Sequence, residues 1–278
     1  MLEYDGTRYA GWQAQRKGKE VPTIQEEIEK HLKRLLKPGY ASVISAGRTD
    51  AGVHALGQVA AFTADAGFQL PADTVKKALN AMLPGDIRVV GAGDCPAGFH
   101  PRRDATGKTY FYLIAAMANP PVFTRPYSWG LPFKLDLDRM RTAAELIVGE
   151  KDFSSFRASG CGSKTPVKNL MALEITRRRE IEFMSVRLGG DFLRISLTAD
   201  AFLRHMARNI VGTLAEVGRG RISPERMHDI IASRDRRLAG PAAPARGLFL
   251  ERVYYDQEAE ERAGFYTCPH KKNPVREI

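Results

Sequence analysis

The sequence has few cysteines and no long hydrophobic run, and these two shortages exclude several classes of protein. Its three cysteines, Cys95, Cys161 and Cys268, are odd in number and widely separated, so they provide neither a disulfide framework nor paired zinc ligands. This usage predicts a protein of the reducing cytoplasm. No stretch approaches the roughly 20 apolar residues of a membrane-spanning helix, so we expect no membrane partner.

The motifs of several enzyme classes are also missing. Gly107-Lys108-Thr109 is similar to the end of a phosphate-binding loop, but Arg102 stands where that loop needs its first glycine. The His-x-Glu and Cys-x-x-Cys motifs of zinc deaminases are absent, and so is the Gly-x-Ser-x-Gly of serine hydrolases. The sequence therefore argues against nucleotide hydrolysis, zinc-dependent deamination and serine-based acyl transfer. We expect neither a metal nor a cofactor.

Positive charge, in contrast, is abundant. Lys and Arg number 42 against 32 Asp and Glu, which gives a formal net charge of +10. A field of this sign favours a polyanionic partner, and nucleic acid is a better candidate than an anionic membrane surface. A hydrophobic content of 44% with 27% charged residues is typical of a globular protein with a sizeable core.

Hydrophobic periodicity predicts an α+β protein made of two similar halves. Each half fits a ferredoxin-like, split β-α-β arrangement, and together they should form a mainly antiparallel sheet with helices on one face and a basic central cleft. We place the N-terminal half at 1–104, the C-terminal half at 105–256 and a poorly ordered tail at 257–278. The predicted strands are 1–4, 42–46, 57–63, 87–90, 110–113, 170–176, 181–187, 192–198 and 248–255; the predicted helices are 24–36, 72–83, 135–148, 201–217 and 224–232.

Residues 44–54, ISAGRTDAGVH, break an apolar run with a loop that contains Asp50. An Asp followed by Gly within two residues is a common turn signal, because Asp tolerates strained turn geometry and Gly supplies positive φ. Arg48 lies two residues before Asp50, and a glycine on each side allows close approach of backbone or ligand. Asp50 is therefore either an ordinary turn residue or a carboxylate presented for chemistry.

Cations next to aromatic residues form a second group of candidates. Most such side chains are solvated surface, but in loops beside Phe and His they are also typical of a surface that follows a phosphate backbone and stacks an unpaired base. Tyr110 and Tyr112 share one face of a strand, where Tyr112 is expected in the core. Arg208 lies inside an otherwise apolar helix, on a side from which it could project into a cleft.

Six ordered blocks spread over residues 1–256 make the chain similar to the TruA family of tRNA pseudouridine synthases. A GRTD loop by itself would be a weak signal, whereas six blocks in the family's order are specific. The blocks are LEYDGTRYAGWQAQ, GRTDAGVHALGQVAAF, FHPRRDATGKTYFY, KDFSSFRASG with KTPVKNL, DAFLRHMARNIVGTLAEVG and APARGLFLERVYY.

The resemblance implies isomerisation of uridine to pseudouridine at positions 38–40 of tRNA, in the anticodon stem-loop, by a homodimer that needs no cofactor. It implies that Asp50 is the catalytic carboxylate, that Arg208 pairs with it and that Tyr110 stacks on the target base. Leu248 would complete the apolar wall, and Arg48 would flip or hold the nucleotide. Further substrate contacts are predicted at His54, Arg102, Arg103, Lys108, Arg157, Lys164 and Lys168.

Two other readings of the residues stay open. A non-catalytic RNA-binding module would account for the basic and aromatic residues, but it leaves Asp50 unexplained, since a carboxylate in a basic groove repels phosphate. A dimeric scaffold explains neither the charge nor the loop. The residues also leave open whether Asp50 attacks covalently or removes a sugar proton.

Overall fold

The computed structural model describes residues 1–14, 21–36, 42–64 and 70–256; the predicted tail, 257–278, lies outside the described residues. Strands and helices alternate in an α+β arrangement, as predicted. The strands are β1 Leu2–Tyr4, β2 Ile44–Ser45, β3 His54–Gln58, β4 Ala60–Ala61, β5 Ile87–Val89, β6 Gly107–Ala115, β7 Trp129–Gly130, β8 Gly149–Asp152, β9 Val167–Phe183, β10 Val186–Ala199 and β11 Leu248–Tyr254. The helices are α1 Ile24–Leu36, α2 Ala72–Met82, α3 Leu137–Glu145, α4 Met206–Gly218 and α5 Arg226–Ser233.

Within the described ranges, nine strands form one mainly antiparallel sheet in the order β5-β1-β3-β11-β6-β10-β9-β8, with β7 paired to β6. The last strand, β11, lies between β3 and β6; it runs parallel to β3 and antiparallel to β6. This insertion joins strands from both ends of the chain. It brings the loop before β3, which carries Asp50, next to β6, which carries Tyr110.

Helix ends follow local sequence signals where such signals exist. The capping box at the start of α1 is formed, because the backbone N–H of Thr23 donates to the Glu26 carboxylate at 2.9 Å and the Glu26 N–H donates to Thr23 Oγ1 at 3.2 Å. Helix α4 is buried on almost all sides, including Ile210 and Leu214. An all-round apolar helix of this kind belongs in the core, where it fixes the position of its few polar residues.

Several predicted boundaries are wrong, and β7 and β8 were not predicted; three differences are the largest. The strand predicted at 181–187 runs through a turn instead, because Met184 and Ser185 have φ of 48° and 64° and join β9 to β10 in one long hairpin. The predicted strand 57–63 is two short strands, of which β4 pairs with β2 in a separate small sheet. The helix predicted from Ala201 begins at Met206, since His205 adopts a left-handed φ of 62° that a helix cannot continue.

No helix in the described part of the chain is long and apolar enough to cross a membrane.

Candidate active site

A cavity of about 900 Å³ lies between the loop before β3, the start of β6 and the start of α4. It brings together Asp50, Tyr110, Arg208 and Leu248, which are separated by up to about 200 residues in the chain. The sheet order explains why these residues meet. Strand β11, which begins at Leu248, lies between β3, which follows the Asp50 loop, and β6, which carries Tyr110. The cavity also contains Arg48, Arg102, Lys108 and Lys168.

The loop that carries Asp50 is a turn whose position is fixed by hydrogen bonds from residues outside it. The backbone N–H of Val53 donates to the Asp50 carbonyl at 3.1 Å, and Gly52 has a φ of 77°, so the turn signal in the sequence is real. The preceding residue, Thr49, is held by the N–H of Trp12 at 3.0 Å and by the Tyr4 hydroxyl at 2.8 Å. Because its neighbours are fixed, the Asp50 side chain projects into the cavity while 29% of it stays exposed.

Arg208 and His205 both contact the Asp50 carboxylate. Arg208 Nη1 donates to Asp50 Oδ2 at 3.1 Å, and His205 Nε2 lies 3.3 Å from the same oxygen. Both residues lie at the N-terminal end of α4, where the helix dipole adds further positive potential. Burial and the nearby arginines lower the pKa of His205 despite the opposing effect of Asp50, so its imidazole is neutral at pH 7.

The Arg208 guanidinium is fixed from its other side. Its Nε donates to the Ala243 carbonyl at 2.8 Å, and the Ala243 N–H donates to the Arg208 carbonyl at 3.0 Å. The chain at Pro241 can pack this closely because Gly212, one turn further along α4, has no side chain; a Cβ there would lie 1.7 Å from the Pro241 carbonyl oxygen. One glycine therefore permits the contact that aims Arg208 at Asp50.

Two buried side chains form an apolar wall opposite the carboxylate. Tyr110 and Leu248 are 6% and 5% exposed and both line the cavity. The Tyr110 ring meets Phe202 edge to face, with ring centroids 4.9 Å apart. Burial raises the pKa of the Tyr110 hydroxyl, so it is protonated at neutral pH. The neighbouring Tyr112 lies in the core, as predicted, with its hydroxyl donating to the Pro244 carbonyl.

Arg48, Arg102 and Lys108 form a cluster of like charges on the cavity wall. Burial and then the charge of Arg102 lower the pKa of Lys108 to about 8, and burial and then Arg48 lower the pKa of Arg102. None of the three forms an ion pair with a carboxylate of the described residues. Mutually repelling cations that line a cavity are typical of an anion-binding surface.

Lys168 also lines the cavity, but its ammonium is largely satisfied by the protein. It donates to the carbonyls of Thr165 and Val167 at 3.0 and 2.8 Å. These bonds hold the loop before β9 against the cavity. Lys168 can therefore contribute charge, whereas two of its three N–H donors are already used.

Four predicted substrate contacts do not line this cavity: His54, Arg103, Arg157 and Lys164. His54 is 1% exposed, accepts from the Gly6 N–H at 3.1 Å and lies 3.0 Å from the Asp5 carboxylate. A packing role therefore accounts for the presence of His54 in the block GRTDAGVHALGQVAAF. A substrate contact at these four positions stays a prediction that this geometry does not favour.

Sequence reasoning did not select His205 or Phe202, although both line the cavity. A signal for His205 was present, because it lies three residues before Arg208 and such spacing places two side chains on one helix face. The left-handed backbone that turns its imidazole towards Asp50 carries no such signal, since His is not a turn residue by default.

A carboxylate held by a guanidinium, opposite a stacking aromatic wall and beside unpaired cations, is an arrangement typical of an enzyme that acts on a polyanion. In the described residues no group of three or more His, Cys, Asp or Glu side chains could hold a metal ion.

Comparison with known proteins agrees with this class. The sequence model described as tRNA pseudouridine synthase matches residues 1–102 and 143–256. The tRNA pseudouridine synthase A of Moorella thermoacetica is 44% identical over 254 residues, covering 91% of this chain and 97% of that protein. The proteins of the same name from Myxococcus xanthus and Thermodesulfovibrio yellowstonii are 42% and 39% identical, over 91% of this chain and 90% and 97% of theirs. The chain belongs to the tRNA pseudouridine synthase family, which confirms the resemblance drawn from its sequence.

Proposed function

We propose that the protein isomerises uridine to pseudouridine in the anticodon stem-loop of tRNA, at positions 38–40, and that Asp50 is its catalytic carboxylate. The observation that carries the proposal is the ion pair of Asp50 with Arg208 at 3.1 Å, placed in a cavity that faces Tyr110. The family of the chain supports the isomerase activity. The site geometry supports the role of Asp50.

The reaction rearranges bonds without any external reactant. The glycosidic bond between C1′ and N1 of uracil breaks, the detached base turns, and a bond forms between C1′ and C5. The proton on C5 leaves to solvent and N1 takes up a proton, so atoms and charge balance. The carboxylate of Asp50 serves this sequence either by attacking the sugar carbon or by removing a sugar proton, and both routes need it ionised.

The apolar wall would retain the detached base. A uracil without its glycosidic bond escapes unless a closed pocket holds it, and a stacked ring does so without fixing its rotation. Tyr110 lines the cavity although only 6% of the residue is exposed, and Leu248 lies in the same wall. Phe202 supports the Tyr110 ring from its edge.

The cation cluster would bind the backbone around the flipped nucleotide. Arg48, Arg102 and Lys108 line the cavity without carboxylate partners among the described residues, and phosphates would relieve their repulsion. We place this basic cleft between the two predicted halves of the chain. We further propose a cytoplasmic homodimer whose two subunits both contact the tRNA.

Tritium release from tRNA labelled at C5 of its uridines tests the activity. Because bond formation at C5 expels the C5 hydrogen, each turnover releases one tritium atom. Two transcripts should be compared: one with uridines at positions 38–40 and one with cytidines there, paired to guanosine within the stem. We expect release from the first transcript and none from the second; equal release from both would contradict the anticodon assignment.

The second candidate, a non-catalytic RNA-binding module, fits the cations equally well. It gives no reason for a carboxylate among them, because Asp50 would weaken phosphate binding. Tight binding of the first transcript without any tritium release would favour this alternative over the isomerase.

A further inference from the structure

His205 occupies a strained backbone position next to the reactive carboxylate. Its φ of 62° and ψ of 3° are left-handed, a conformation that costs a non-glycine residue of order 1 kcal/mol. In this conformation Nε2 lies 3.3 Å from Asp50 Oδ2. Retained strain of this kind is a reason to look for a function in the side chain that it orients.

The two contacts to Asp50 fall on one oxygen. Arg208 Nη1 and His205 Nε2 both approach Oδ2, at 3.1 and 3.3 Å, while no described residue donates a hydrogen bond to Oδ1. Oδ2 accepts the Arg208 hydrogen bond and is in contact with the His205 ring, so it is less basic and less accessible than Oδ1. The unoccupied oxygen, Oδ1, is therefore the one available to the nucleotide.

We propose that His205 is a positioning residue: its imidazole and Arg208 together hold Asp50 by Oδ2, so that Oδ1 faces the sugar of the target nucleotide and performs the chemistry. This inference rests on the proposed function. Arg208 by itself fixes one point of the carboxylate and leaves rotation about it free. A second contact from a different direction, His205 Nε2 at 3.3 Å from Oδ2, limits that rotation and so decides where Oδ1 points.

The charges around His205 define how the contact depends on pH. Asp50 faces it from the loop before β3, Arg208 and Arg204 from its own segment, and Arg236 from the chain after α5. Burial and the arginines lower its pKa below 6.5, so protonation occurs on the acid side of neutrality. Protonation would place a second cation against Asp50 and weaken the carboxylate as a nucleophile or base.

Two substitutions separate positioning from backbone strain. His205→Gln keeps an amide N–H at about the distance of Nε2, but Gln tolerates the left-handed backbone poorly. His205→Asn suits that backbone better, but its amide is too short to reach Oδ2. The expected order of stability, Asn above Gln, is therefore the reverse of the expected order of activity.

The experiment measures single-turnover tritium release, tRNA affinity and thermal unfolding for the wild type and both variants. At pH 7.5 we expect His205→Asn to be about tenfold slower with unchanged affinity, because the contact that orients the carboxylate is lost, and His205→Gln to stay within about threefold of the wild type. The wild-type rate should fall below pH 6.5, whereas the rate of His205→Gln should not.

Other outcomes would overturn the inference. Wild-type rates in both variants, or activity that follows stability with Asn above Gln, would reduce His205 to a structural residue. An acid limb that persists in His205→Gln would assign that limb to another group and would also contradict the proposal. If one variant fails to fold, the rate and the pH profile of the other variant are compared with those of the wild type, and that comparison decides whether His205 is a positioning residue. Absence of release from the wild type would instead contradict the proposed function.

Discussion

Replacement of Arg208 by Met tests the ion pair on which the site is built. The substitution keeps much of the side-chain volume but removes the donor 3.1 Å from Asp50 and the bond to the Ala243 carbonyl. An ion pair at this distance is worth roughly 5 kcal/mol at an effective dielectric of 20. Since the Arg208 and Asp50 side chains are 16% and 29% exposed, solvent screening reduces the figure to about 2–3 kcal/mol.

A loss of that size corresponds to a roughly 30- to 150-fold fall in the single-turnover rate at saturating tRNA. Arg204→Met is the matched control, because Arg204 lines the same cavity but donates to the Ser159 carbonyl and not to Asp50. The control removes the same charge, so it should weaken tRNA binding and leave kcat close to that of the wild type. Near-normal kcat in Arg208→Met, or equal losses of kcat in both variants, would refute the pairing.

Three further predictions address the wall, the packing and the cations. Tyr110→Phe should retain the rate, whereas Tyr110→Ala should lose about 10- to 100-fold in single turnover because base stacking is lost; equal rates would contradict stacking. Gly212→Ala should lower the thermal midpoint by several degrees, since its Cβ would collide with a backbone oxygen at 1.7 Å, while Gly85→Ala, with open space, should not. The affinity for tRNA should fall as pH rises through about 8, where Lys108 loses its charge, and Lys108→Arg should abolish that dependence in anisotropy titrations.

The sequence predicts most of the local structure because local signals are strong. The capping box at Thr23 and Glu26 formed, and the apolar stripe of α4 is buried. The turn at Met184 and Ser185 could not be anticipated, because neither residue favours positive φ and tertiary pairing of two long strands imposes it. At this turn, the pairing of the two strands overrides the backbone preferences of the two residues.

The candidate site likewise has parts that the sequence predicts and parts that it does not. Asp50 is visible in the sequence, because a carboxylate between two glycines and beside an arginine is an unusual combination. Its meeting with residue 208 depends on β11 lying between β3 and β6, a long-range pairing that periodicity does not encode. His205 was missed for a different, local reason, since it adopts a left-handed backbone conformation that its residue type does not signal.

The most direct test of the central claim compares the wild type with Asp50→Asn, which is nearly isosteric and removes the charge. Both proteins should bind tRNA, and the variant should bind at least as tightly because a negative charge has left a cavity lined with cations. The account predicts C5 tritium release by the wild type and none above background by Asp50→Asn. Release by the variant at a rate near that of the wild type would contradict the assignment of Asp50 as the catalytic carboxylate.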